Sequence, residues 1–182
     1  MFFREKRKEE GKQFNFPTPN ISPQPMKYSR LTKEQFEELH QEFINFLASQ
    51  SITADEWTTI KEKQPEVAEQ ELDVFSDLVW EGVLSQAIYL ENISPQQLFL
   101  FEIGEKAMQL IAIKITKEGV DITTSEGYKW LQLNLLDDAV ELFTSKKEFS
   151  EDKQADIFAL IRQGAVITNG ELYRFFEGIL NK

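Results

Sequence analysis

Cysteine is absent from this chain of 182 residues. Its absence excludes disulfides, thiolate metal sites and cysteine nucleophiles together. Histidine occurs once and glycine only eight times. No pair of glycines makes G-x-G-x-x-G, and none makes the Walker spacing with a following Lys and Ser/Thr, so an ATP, GTP or dinucleotide site is not expected. No stretch approaches the ~20 uncharged apolar residues of a membrane helix. The opening MFFREKRKEEGKQ carries charge within four residues and lacks the apolar run of a signal peptide. A cytoplasmic protein with no membrane partner is the expectation.

Basic residues are also in short supply, 20 against 31 acidic ones, for a net charge of −11. Residues 1–25 hold five basic and three acidic residues, so +2, which leaves −13 for residues 26–182. A body this acidic repels phosphate backbones, and nucleic acid is not an expected partner.

What is present is core material: hydrophobic residues make up 41% of the chain and Phe alone occurs 15 times. The length suits one domain, taken as residues 26–182. Residues 1–25 read differently. FNFPTPNISPQP places four of the six prolines in a dozen residues, the composition of extended or disordered chain. Phe14 and Phe16 alternate ahead of Pro17, as in a docking peptide that adds to a sheet edge. The competing reading is an upstream extension, since Met26 stands directly before the first helix.

From Thr32 the apolar residues recur at three and four. Thr32 and Gln35 make a capping-box spacing, and Phe36, Leu39, Phe43, Phe46 and Leu47 form one stripe, predicting a helix to about Gln50. Thr53 with Glu56 opens a short helix that stops before Pro65. Pro65 suits a first helical position, and PEVAEQELDVFSDLVWEGVLSQ is the longest periodic stretch. One arc of its wheel holds Val67, Ala68, Leu72, Val74, Phe75, Leu78, Val79, Gly82 and Val83, so this helix is expected to lie across the core. Residues 87–93, 97–103 and 108–115 are rich in β-branched and aromatic residues and read as three strands joined by short turns. Helical spacing returns at Tyr128, Leu131 and Leu135. Residues 139–144 are either a fourth strand or the end of that helix. Ser150 caps a helix stopped by Gly164, and Asn169 caps a last one. The fold class is α+β: N-terminal helices, a three- to four-stranded antiparallel meander, and C-terminal helices.

Candidate chemistry is sparse. The single histidine, His40, lies in EQFEELHQEF with Glu37 three residues before it, the Glu-x-x-His spacing of di-iron carboxylate bundles. That arrangement needs two such motifs, and a zinc site without thiolates needs more imidazoles. His40 therefore reads as a boundary residue, partly buried and hydrogen-bonded, and no metal or cofactor is expected. Glu71 falls inside the apolar arc of the long helix. Buried without a cation, its pKa would rise, as at catalytic acids. The alternative is a pairing with Arg or Lys, or access to solvent at the helix edge. The opposite arc presents Glu69, Asp73 and Asp77 at intervals of four, with Trp80 and Glu81. Trp80 among carboxylates either packs under another element or centres a binding surface, since Trp is enriched at interface hot spots. Arg174, beside Tyr173, is expected to pair with Glu171 or Glu177.

The runs MKYSRLTKEQFEELHQEFINFLASQSITADEW, PEVAEQELDVFSDLVWEGVLSQ and QGAVITNGELYRFFE resemble an uncharacterised domain-of-unknown-function family of flavobacteria (Bacteroidota). The resemblance covers Met26 to the C-terminus. It implies no activity, cofactor or catalytic residue. Two functions follow from the residues. The first is a non-catalytic binding or accessory protein that meets an unidentified protein partner through Glu69, Asp73, Asp77, Trp80 and Glu81, or through Phe14 and Phe16. The second is a small enzyme using Glu71 as its acid or base.

Overall fold

The computed structural model describes residues 26–181. Phe14 and Phe16 lie outside the described residues. Thr32 and Thr53 each accept from the backbone N–H three residues on, while Gln35 and Glu56 reach back to the cap. These two capping boxes open α1 (Lys33–Glu38) and α3 (Ala54–Lys63). The helix expected to run unbroken to Gln50 is interrupted at Leu39, which leaves α-geometry at φ −99° and ψ 21°, and α2 (His40–Ser49) continues from there. No Gly or Pro marks the break. Phe36, Leu39 and Phe43 nevertheless stay on one cluster. Pro65 starts α4 (Pro65–Gln86), the longest helix.

Five strands follow: β1 (Tyr89–Ser94), β2 (Gln97–Ile103), β3 (Ala107–Ile115), β4 (Val140–Glu148) and β5 (Val166–Thr168). Their order is β4-β3-β2-β1-β5, antiparallel throughout. The expected count of three to four is corrected to five. Of residues 139–144, all but Ala139 belong to a strand, because β4 pairs with β3 over nine positions from Ile115↔Val140 to Ala107↔Glu148. The missed strand, β5, is three residues long and pairs with β1 across a large gap in sequence, with Glu91 facing Val166. Three residues are too few to show an alternation.

The pleat sorts the side chains onto two faces. Leu98, Leu100, Ile111, Ile113 and Ile115 meet Leu131 of α5 (Ser125–Leu133) and Tyr173 and Phe176 of α7 (Glu171–Leu180). Leu90, Ile103 and Met108 meet Leu84 of α4 and Ile157 and Phe158 of α6 (Lys153–Arg162). Asp152 rather than Ser150 caps α6, and Gly170 in left-handed geometry rather than Asn169 precedes α7. A third cluster, Leu31, Phe46, Leu47 and Phe75, lies off the sheet between α1–α3 and the first half of α4.

One glycine is fixed by its neighbours. A Cβ on Gly127 in α5 would stand 1.8 Å from the Asp121 carbonyl oxygen. The backbone passes too close for any side chain. Gly127→Ala is expected to cost about 1–3 kcal/mol, read as a fall in Tm; an unchanged Tm would refute this account of the α5 docking.

Candidate functional site

The expected binding face is engaged within the chain. Residues 27–31 run across α4 as a strap, and its acidic arc holds them. Asp77 accepts from the backbone N–H groups of Lys27 at 2.7 Å and of Tyr28 at 2.9 Å. Glu81 accepts from Lys27 Nζ at 2.6 Å and Tyr28 Oη at 2.8 Å. Arg30 reaches Asp73 at 2.6 Å and also pairs with Glu69. Lys27 Nζ further bridges to Asp152 at the start of α6, at 2.9 Å. Trp80 donates its indole N–H to the Ser29 carbonyl at 2.9 Å and sets its ring edge-on to Phe158, 4.9 Å between centroids. Of the two sequence readings of Trp80, packing describes its surroundings. The strap then places Tyr28 in the cluster under α6 and Leu31 in the cluster under α2.

The charges respond to these contacts. The Glu81 carboxylate, then Tyr28 and Asp152, hold the Lys27 ammonium well above its ordinary range. Lys27 in return holds Glu81 and Asp152 below theirs. The groups remain more than a third exposed, so each pair contributes at most about 1 kcal/mol. Asp77 matters more, because it satisfies two strap donors with one carboxylate.

Glu71 of α4 is buried, at 1% exposure. Its Oε2 has no hydrogen-bond partner, and no described Arg or Lys pairs with it. Burial alone pushes its pKa up. The desolvated carboxyl read from the helical wheel is therefore present. Among the groups around it, however, the structure shows neither a base nor a nucleophile bonded to it. Ser76, one turn along, is spent on the Leu72 carbonyl and the Leu31 N–H.

His40 is exposed rather than partly buried, and Glu37 pairs with Lys33 at 3.7 Å instead. The boundary position fails because α2 turns its Phe46 and Leu47 inward and leaves the first turn in solvent. Among the described residues no group of three or more His, Asp or Glu is placed to hold a metal ion. None of their helices is long and apolar enough to cross a membrane. Arg174 donates to the Asn169 carbonyl at 2.8 Å and covers the Tyr89 ring, rather than pairing with Glu171 or Glu177. Tyr173 beneath it is buried, and its phenol is pushed up to about 12, by burial first and then by Glu102 and Glu177.

The sequence reading missed a groove. Phe46 and Asn45 of α2 and Phe75, Leu78, Val79, Gly82 and Val83 of α4 line a shallow depression of about 560 Å³ whose surface is mostly apolar. Leu78 is 57% and Val83 43% exposed. The wheel put both in the core arc. They are uncovered because α2 flanks the second half of α4 without closing over it. Gly82 in the groove meets nothing within 4 Å of where a Cβ would stand. Glycine inside a helix costs roughly 0.5–1 kcal/mol against Ala, and no packing among the described residues requires it here.

A helical layer laid on a five-stranded antiparallel sheet, with helices on both sheet faces, defines an α+β protein. The chain belongs to a family of unknown function (DUF6495), whose model matches residues 26–181. No curated protein and no solved structure is detectably similar to it.

Two outcomes check this geometry. Asp77→Ala leaves two strap N–H groups without their acceptor and should lower stability by about 1–3 kcal/mol in urea denaturation; an unchanged midpoint would mean the strap is held elsewhere. For Glu71, the folded chain binds the proton more tightly than the unfolded chain, whose carboxyl keeps the ordinary 4.5. Stability therefore falls as pH rises from there through the folded pKa. Glu71→Gln removes that fall, so the variant should gain on the wild type as pH rises above the ordinary 4.5 of the unfolded chain. A difference that stays flat with pH would show Glu71 to be paired.

Proposed function

We propose that this is a non-catalytic, cytoplasmic protein-binding or accessory protein whose docking surface is the groove between α2 and α4. The observation that carries the reading is the exposure of Leu78 and Val83 beside Gly82 in one continuous apolar depression. Exposed apolar side chains scattered singly are ordinary, but a contiguous patch marks interaction surfaces. Glu69, Asp73, Asp77, Trp80 and Glu81 serve this site indirectly: by holding the strap they brace α4 from the far side.

A second reading, a small enzyme with Glu71 as acid or base, draws on the raised pKa and the unpartnered Oε2. Glu71 lines neither the α2/α4 groove nor the second depression beside α5 and α7. A substrate would need a path to it, which favours the binding reading.

The test is site-specific photo-crosslinking in the source cell, with a photoreactive residue at Leu78 and a control at Lys117 on another face. A discrete adduct from Leu78 and none from Lys117 is expected. Identical patterns at both positions, or none at either, would remove the groove from consideration and bring Glu71 forward.

A further inference from the structure

Resting on the binding reading above, we propose that the occupant of the α2/α4 groove is an amphipathic helix of a partner protein that carries Lys or Arg along the edges of its apolar face. Three observations converge on that chemistry.

The first is shape. The groove follows α4 from Phe75 to Gln86, about 17 Å at the 1.5 Å rise of a helix. That is three turns, the span over which a docked helix places apolar anchors at i, i+3/i+4 and i+7. Phe75, Leu78, Val79 and Val83 supply the apolar surface for such anchors.

The second is Gly82. It stands midway along the groove with open space above it. Small residues at a helix crossing let two backbones approach closely, so ridges of one helix seat in the groove of the other. A mid-helix glycine that no described residue packs against is accounted for by an external helix crossing there. An extended peptide or a small apolar ligand would not need it.

The third is charge. α2 contains Glu42 and no Lys or Arg; α4 contains Glu66, Glu69, Glu71, Asp73, Asp77 and Glu81, and again no Lys or Arg. Among the described residues the two cations that pair with α4, Lys27 and Arg30, sit on its strap side, where Glu69, Asp73, Asp77 and Glu81 are engaged with the strap. Glu42 lies on the groove wall itself. An incoming helix therefore meets an apolar floor whose one charged lining residue is Glu42, on a body of net negative charge, which attracts cationic flanks and repels acidic ones. The same argument disfavours a second copy of this chain, because pairing two such grooves would bring two Glu42 side chains and two acidic bodies together.

The experiment uses the full chain and three fluorescent peptides of about 18 residues, long enough to hold helical structure. They are an amphipathic Leu/Lys helix, its Leu/Glu counterpart, and a scrambled Leu/Lys sequence of the same composition. Fluorescence anisotropy should show the Leu/Lys helix binding at least about tenfold more tightly than either other peptide, a difference of about 1.4 kcal/mol. Gly82→Leu should weaken that binding about tenfold or more while leaving Tm unchanged or raised, since its Cβ enters open space. Glu42→Lys should narrow the preference for Leu/Lys over Leu/Glu without altering the fold. Equal binding of the scrambled peptide, or of the wild type and Gly82→Leu, would show attraction to the acidic body alone and overturn the proposal. Groove-dependent binding of the Leu/Glu helix, or dimerisation lost in Gly82→Leu by sedimentation velocity, would overturn the cationic partner yet keep the groove as a docking surface. A Leu78 adduct in cells with no Leu/Lys binding would do the same, whereas failure of both would remove the docking reading as well.

Discussion

The structure depends on one carboxylate accepting two backbone hydrogens. Asp77 of α4 takes the N–H groups of Lys27 and Tyr28, and this fixes the direction in which the chain crosses the helix. With that direction set, Tyr28 falls into the cluster between α4, α6 and the sheet, and Leu31 falls into the cluster between α4 and α2. The two cores do not share a wall other than α4 and this strap. Lys27, bridging Glu81 and Asp152, ties the same crossing to α6. These exposed ion pairs contribute little singly; the hydrogen bonds of Asp77, Trp80 and Ser76 to strap backbone give the crossing its geometry.

That crossing also decides which part of α4 is left for other work. The strap covers the arc of Glu69, Asp73, Asp77 and Glu81, α1–α3 cover the first half of the opposite arc, and the sheet and α6 take Trp80 and Leu84. Only the second half of the α2-facing arc remains, and it is apolar. Glu71 belongs to the covered half. It is a desolvated acid in a helical core, costly to ionise and remote from any described depression.

The sequence made the helix starts legible where a cap and its reciprocal partner are three residues apart, as at Thr32 with Gln35 and Thr53 with Glu56. Pro65 marked the start of α4 for the same local reason. The strands 97–103 and 108–115 were legible from their β-branched and aromatic runs, to within a residue. β4 was ambiguous because VELFTSKKE is an edge strand with little burial on either face, so no alternation marks it. β5 is defined by its partner, not by its own three residues. At the candidate site, the burial of Glu71 was visible on a helical wheel. The wheel failed further along the same arc: periodicity shows which residues share a face, but only tertiary structure shows whether another element covers it. It therefore placed Leu78 and Val83 in a core they do not reach, and for Trp80 it left packing and an exposed surface as alternatives that only the strap decides.

The placement of β5 has a consequence for synthesis. Its partner β1 ends at Ser94, and Val166 pairs back to Glu91. While the ribosome makes the intervening residues, β1 has its hairpin partner β2 on one side and an unpaired row of N–H and C=O groups on the other. Such a row is a template for pairing with any extended chain nearby. It closes only when the last strand emerges, and α7 then seals Tyr173 and Phe176 onto the sheet. The nascent protein thus carries an adhesive border while the residues between Ser94 and Val166 are made, and a chaperone that shields hydrogen-bonding edges would act on it at that stage.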